Sequence, residues 1–185
     1  MTTQLEYSSV PEWARVQDDS GAHPRTTRGL PDDSGAAYIV AGIGGPGTEL
    51  ANRWQDAIGR PVPVTLITAE TADDALAPLD SALAASRVGV RLLVAGPAGD
   101  CLTVRAHALR AGLEDDEIHF SATGSGPIKV FCSHCRATTT ATAGIDDVVP
   151  CAGCGRGLLV YYHVSRRKGS YLGFMVDAET AGEGT

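Results

Sequence analysis

Short apolar runs alternate with helical periodicity from residue 38 onward, and this alternation carries most of the fold prediction. YIVAGI, residues 38–43, is an apolar run of strand length, and TELANRWQDAI, residues 48–58, puts Leu50, Trp54 and Ala57 or Ile58 on one helical face. A second strand, PVTLIT (63–68), precedes a helix over 71–86 that Thr71 should cap and Pro78 should interrupt. A third strand, GVRLLVAG (89–96), leads to a third helix over 101–113, capped by Asp100 and closed by Gly112, and then to a last short strand, EIHF (117–120). Parallel strands need long crossovers, so this order predicts an α/β fold, a small parallel sheet with flanking helices. SATGSGP, residues 121–127, reads as a linker, and the chain beyond it is β-rich.

The two ends carry a weaker pattern. Residues 1–36 are rich in Ser, Gly, Pro, Asp and Thr, and DDSGA occurs twice, at 18–22 and 32–36, which reads as a flexible arm. Within it Leu5, Tyr7, Val10, Trp13 and Val16 offer enough apolar surface to pin the arm to its own body or to another subunit, the alternative being a loosely ordered tail. The resulting division is an arm (1–36), an α/β domain (37–122), a β-rich module (128–178) and a flexible tail (179–185).

Composition narrows the function. The 185 residues suit one domain or two small ones, and a net charge of −7 works against binding nucleic acid or an anionic membrane. No apolar stretch approaches the roughly 18 residues that span a bilayer, and the N-terminus has neither the basic nor the apolar region of a secretory signal. The expectation is a cytoplasmic protein with no membrane segment.

Four of the five cysteines lie in FCSHCRATTTATAGIDDVVPCAGC. Cys132 and Cys135 form one Cys-x-x-Cys pair, Cys151 and Cys154 a second, and this is ligand spacing for one tetrahedral metal. In a reducing compartment such pairs serve as ligands more often than as disulfides. A β module of this size buries little apolar surface, so a metal contributing about 10–16 kcal/mol in small zinc domains decides whether it folds. The reading is a structural zinc in a zinc ribbon. Iron is the rival, because paired knuckles also build a rubredoxin-type electron-transfer site, where glycine usually follows the second cysteine; Gly155 fits and Arg136 does not. Four thiolates leave no open coordination position, so the metal is not expected to be catalytic. Lys129, Arg136 and Arg156 could offset the thiolate charge. Cys101 reads as an inert helix-start residue.

The turn after the first strand holds Gly42, Gly44 and Gly47 in Gly-x-Gly-x-x-Gly spacing, and Glu70 ends the second strand where a dinucleotide fold places its ribose-binding acid. Pro46 removes one N–H from the turn that should cradle pyrophosphate. The 37–122 segment is thus Rossmann-like, with Gly42, Gly44, Gly47 and Glu70 as weak, degenerate candidates for binding NAD(P)H.

YIVAGIGGPGTELA, VTLITAETADD and RLLVAGPAGDCLTVRAHALRAGLEDDEIHF together resemble the nicotinamide-binding half of the ferredoxin reductase family. Ala95 stands where that family has the cysteine of a Cys-Gly-Pro segment, and Ala69-Glu70 where an arginine often reads the ribose phosphate. The residues before the first strand are too few for a flavin-binding barrel, so the resemblance implies a fold retained without redox function. The chain apart from its arm resembles the small subunit of dimethylamine monooxygenase, the DmmA family, whose complex is also a heme-dependent oxidative N-demethylase. VFCSHC and VPCAGCGRGLLVYYHVSRRKGSYLGFMVDAE carry that resemblance. It implies a noncatalytic companion of a heme subunit that oxidises the amine, a flavin (FMN) and iron–sulfur subunit that supplies electrons from NADPH, and a folate-binding subunit that receives formaldehyde.

No nucleophile or acid–base pair stands out. Asp73-Asp74, Asp115-Asp116 and Asp146-Asp147 are adjacent, so their side chains diverge, and they read as turn and cap residues. Function then rests on contact with partners. Arg166, Arg167 and Lys168 form the dense basic cluster of an acidic chain and, with Tyr171 and Trp13, are the candidates for that contact. The bland alternative for the cluster is a solvated hairpin end.

Overall fold

The computed structural model describes residues 8–15, 32–59 and 61–176. Leu5, Tyr7, Val16, the first DDSGA copy and residues 179–185 lie outside them.

The alternating pattern folds as an α/β unit: β1 (Ala37–Ile43), α1 (Gly44–Ala57), β2 (Val64–Ala69), α2 (Ala72–Ala85), β3 (Val90–Gly96), α3 (Ala98–Arg110) and β4 (Ile118–Ala122). The four strands are parallel in the order β2-β1-β3-β4. The apolar runs of the central strands β1 and β3 are buried on both faces, as parallel strands covered by helices require, while the edge strand β2 buries only Ile67. Leu50, Ala51, Trp54 and Ile58 of the α1 segment pack with Tyr38, Val40 and Leu93 on one face, while α2 and α3 cover the other around Ile39, Leu92 and Val94. Among the described residues no helix is long and apolar enough to cross a membrane.

Three boundaries differ from the sequence expectation. α1 starts at Gly44 because the glycine turn winds directly into the helix. α2 is not interrupted: it is capped by Thr71 as expected, whose Oγ1 accepts from the Asp74 N–H, but it runs through Pro78. Pro78 lies on the exposed side, and the apolar stripe Ala72, Ala75, Leu79 continues beneath it, so packing holds the helix where one hydrogen bond is missing. α3 starts at Ala98, and Asp100 is not its cap. The Asp100 carboxylate instead accepts from the Ala72 N–H at the start of α2, at 2.9 Å, and burial raises its pKa above the ordinary carboxyl value despite that hydrogen bond.

The segment read as a linker supplies the α3 cap. Ala98 N–H donates to the Gly124 carbonyl at 2.8 Å and Gly99 N–H to the Ser125 carbonyl at 3.2 Å, satisfying two N–H groups that a helix start leaves open. Residues 121 and 122 belong to β4.

The C-terminal strands are β5 (Ile128–Cys132), β6 (Thr138–Ala141), β7 (Val148–Pro150), β8 (Gly157–Ser165) and β9 (Ser170–Met175), ordered β6-β5-β9-β8-β7. All neighbours are antiparallel except β5 and β9. The inner face, Val130, Val149, Leu158, Val160 and Val164, packs on Ala98 and Leu102 of α3. α3 therefore lies between two sheets: Cys101, Val104 and Ala108 face the parallel one and Leu102 the other. Its apolar residues sit all round, the pattern of a helix buried on every side.

Residues 8–15 of the arm seal the junction. Val10 is 1% exposed, and a single 3-10 turn (Glu12–Ala14) presents Trp13, which stacks on Phe120 of β4 with ring centroids 4.6 Å apart. Ser8 Oγ donates to the Tyr162 carbonyl, and Val164 N–H donates to Ser9 Oγ, both at 2.8 Å, so the arm occupies the edge of β8 that the short β7 leaves open.

Candidate metal centre

The knuckles form at one end of the second sheet. Cys132 is the last residue of β5 and Cys151 directly follows β7, so each pair begins where a strand stops. The two loops repeat one backbone pattern. Cys132 N–H donates to Ala137 O and Cys151 N–H to Arg156 O, at 2.9 and 2.8 Å. Arg136 N–H and Gly155 N–H donate back to Cys132 O and Cys151 O, each at 2.9 Å. Side chains and strands fix the loops to the sheet: Ser133 N–H and Oγ both donate to Gly173 O, and Ala152 N–H donates to Thr139 Oγ1.

This geometry brings the four predicted sulfurs together, all within 4.8 Å of one another. Cys135 and Cys151 Sγ are 3.5 Å apart and Cys132 and Cys154 Sγ 4.0 Å. A tetrahedron with arms of about 2.3 Å has edges of about 3.8 Å, so the donor set fits one thiolate-bound metal ion. None of the four is in a disulfide. Crowding makes their acidities unequal. Backbone N–H groups of Cys154 and Gly153 favour the Cys151 thiolate and lower it to about 6, whereas Cys135, favoured by the Ala137 N–H alone, is pushed up to about 12 by lost solvation and the neighbouring thiols. Gathering negative sulfur here calls for a cation.

Lys129 is not that cation: its ammonium pairs with Asp73 Oδ1 of α2 at 3.0 Å. Arg136 and Arg156 are exposed beside the knuckles. His134 is exposed, and His163 Nδ1 accepts from the Ser9 N–H. Cys101 is wholly buried; burial raises its pKa far above the ordinary thiol value, which makes it inert.

Residues 129–174 match the family model for the C-terminal domain of dimethylamine monooxygenase subunit DmmA-like proteins. Over these residues the chain is similar to DmmA-like C-terminal domains. The match spans both knuckles and the strands that frame them, and it bears out the resemblance read from those residues. The chain is also 38% identical over 106 residues to the delta subunit of heme-dependent oxidative N-demethylase from Ectopseudomonas mendocina (strain ymp), covering 57% of this chain. It spans 59% of that relative's length. No solved structure matches the chain.

The glycine turn lies at the other end of the molecule's chemistry, above the carboxyl ends of β1 and β3, where the strand order reverses. A Cβ on Gly47 would sit 2.5 Å from the Ala95 carbonyl oxygen and one on Gly42 2.7 Å from the Thr48 Cα, so both glycines let α1 close onto the sheet. Gly44 has φ +67°. Glu70 is exposed just beyond β2.

The basic cluster forms the turn between β8 and β9, and this turn is docked on the α/β unit. Arg166 pairs with Asp115, which also accepts from Arg105 at 2.7 Å. The Arg167 carbonyl accepts from Arg110 at 2.6 Å, and Lys168 Nζ lies 4.3 Å from the centre of the Phe131 ring. Tyr171 is 6% exposed and lines a cavity of about 590 Å³ between the arm, the linker and the loop before β7. Asp115 was legible only as a turn residue, because its partners lie 10 and 51 positions away. Its three-residue turn carries a capping box from Glu114 and Glu117, which sequence reasoning missed.

Proposed function

We propose that this chain is a noncatalytic structural and assembly subunit of a multi-subunit, NADPH-dependent dimethylamine monooxygenase, an oxidative N-demethylase complex. A structural zinc at Cys132, Cys135, Cys151 and Cys154 would hold a zinc ribbon over residues 128–178 against α3. Zinc would supply charge neutralisation and a rigid tetrahedral junction between β5, β7 and β8. The residues around it orient that junction through the paired N–H bonds described above. The observation that carries this reading is a closed, all-sulfur donor set inside the residues similar to DmmA-like C-terminal domains: every ligand position is taken by protein, so substrate has no place on the ion. The relative's name, the delta subunit of a heme-dependent enzyme, supports a complex with partner subunits; heme on one of them, and FMN, iron–sulfur and folate sites on others, are part of the proposal. The 37–122 unit is read as a degenerate ferredoxin-reductase-like half, and the protein as cytoplasmic.

The test is purification through a tag on this chain, with identification of co-purifying subunits, metal analysis of the same sample and amine turnover with and without the chain. One equivalent of zinc, a colourless isolated chain and turnover only by the assembled complex support the reading. Steady turnover by the chain alone, or thiolate-to-iron absorption, refutes it. Placement of Gly42, Gly44 and Gly47 at the switch point, with Glu70 just beyond the neighbouring strand β2, favours the second reading, an NAD(P)H-binding or rubredoxin-like electron-transfer component; submillimolar binding of NADPH or NADH in titration calorimetry would establish its nucleotide-binding form.

A further inference from the structure

A cavity of about 590 Å³ lies between the arm, the linker and the loop before β7. That is the size of a small-molecule site, and Ala98, Ile128 and Ile145 give it apolar walls. Tyr171, Arg15 and Asp147 line it as well, and each keeps hydrogen-bonding capacity that the fold does not use.

Tyr171 is the buried one of the three, 6% exposed. Its hydroxyl makes no hydrogen bond, and burial alone raises its pKa above the ordinary phenol value, so it stays a protonated donor. Among the described residues, the unpartnered side-chain atoms sealed from solvent are Trp54 Nε1 and Ser170 Oγ. The Tyr171 oxygen is not sealed with them, so it reaches open space, and the space this residue lines is the cavity. A buried hydroxyl in such a place costs stability unless water or a ligand meets it.

Arg15 and Asp147 supply one charge of each sign, both exposed. Arg15 Nε donates to the Val10 carbonyl at 3.0 Å and Nη2 to the Ser8 carbonyl at 3.5 Å, which fixes the guanidinium and leaves Nη1 without an acceptor. Asp147 Oδ2 accepts from the Gly144 N–H at 2.7 Å, which fixes the carboxylate and leaves Oδ1 free. Among the described residues neither forms an ion pair. Opposite charges held by backbone around one cavity, and not on each other, are preset for a ligand that carries both.

We propose that this cavity binds a small zwitterion of the amino-acid class with an apolar side chain: its carboxylate on Arg15 and the Tyr171 hydroxyl, its ammonium on Asp147, and its side chain against Ala98, Ile128 and Ile145. The site uses neither the sulfur cluster nor the glycine turn, so it stands apart from the assembly role. A ligand with a carboxylate alone would set it beside an unpaired Asp147, and one with an amine alone would leave Arg15 and Tyr171 unmet.

The experiment is titration calorimetry on the full chain with L-leucine and with its two halves, isocaproate, which lacks the ammonium, and isoamylamine, which lacks the carboxylate. Leucine should bind with a submillimolar Kd and each half at least about tenfold more weakly. Tyr171→Phe, which keeps the ring, should weaken leucine and isocaproate by about three- to tenfold, leave isoamylamine unchanged and not lower the melting temperature of the free chain. Arg15→Gln should erase the preference for leucine over isoamylamine, and Asp147→Asn the preference over isocaproate; a merely structural role would move all three affinities alike. Absence of leucine binding, a half that binds as tightly as leucine, or an affinity indifferent to Tyr171→Phe overturns the proposal.

Discussion

Arg136 and Gly155 hold the same left-handed backbone, φ 65° and 73°, one residue after the second cysteine of each knuckle. Each N–H donates to the carbonyl of its knuckle's first cysteine, so both loops are one structure built from different sequences. Left-handed backbone costs a residue with a Cβ roughly 1 kcal/mol. Arg136→Gly should therefore keep full metal content and unfold at an equal or slightly higher temperature, whereas Gly155→Ala should lose about 1 kcal/mol. Calorimetric melts of both variants check the equivalence.

Removing any one sulfur breaks a closed shell. Cys132→Ser or Cys154→Ser should abolish stoichiometric metal binding, and chelation of the wild type should melt the second sheet before the first. Cys101→Ala should leave metal content unchanged, because its thiol is buried under α3 with the Gly96 carbonyl as its hydrogen-bond acceptor. Metal analysis with far-ultraviolet circular dichroism separates these outcomes.

The hairpin dock is held by shape more than by charge. A Cβ on Gly169 would lie 2.4 Å from the Leu102 carbonyl oxygen, and its φ is +62°. Gly169→Ala should cost about 2–3 kcal/mol by pushing the turn off α3. Asp115→Ala removes partly exposed ion pairs and should cost at most about 1 kcal/mol. Urea denaturation should rank the variants in that order; the reverse order would make the ion pairs the main attachment.

His119 makes stability depend on pH. Burial lowers its pKa below the ordinary value of about 6.5, with Asp32 opposing only in part, so the folded state favours the neutral ring. Below that ordinary value the unfolded chain binds a proton that the folded chain resists. Stability is then present above about pH 6.5 and lost as pH falls towards the folded value. His119→Gln should flatten the decline in urea midpoint between about pH 7.5 and 5.5 relative to wild type.

Trp13 tests whether the arm belongs to the core. Its ring stacks on Phe120 and touches apolar clusters on both sides of the junction. Trp13→Ala should lower stability by about 2–4 kcal/mol in the isolated chain. An unchanged melting temperature would leave Trp13 free for the partner contact expected from sequence.

The sequence by itself determined the local patterns: apolar runs that must be parallel strands, the Thr71 cap, and four cysteines in two ligand-spaced pairs. These depend on neighbours a few residues apart, where periodicity and hydrogen-bonding chemistry are legible. Only the tertiary structure decided that α3 is shared between two sheets, that Asp100 caps α2, that the linker carbonyls cap α3 and that the basic hairpin closes on Asp115. Each joins groups tens of residues apart, and no local periodicity records which distant surface a helix or turn will meet; packing in three dimensions selects it.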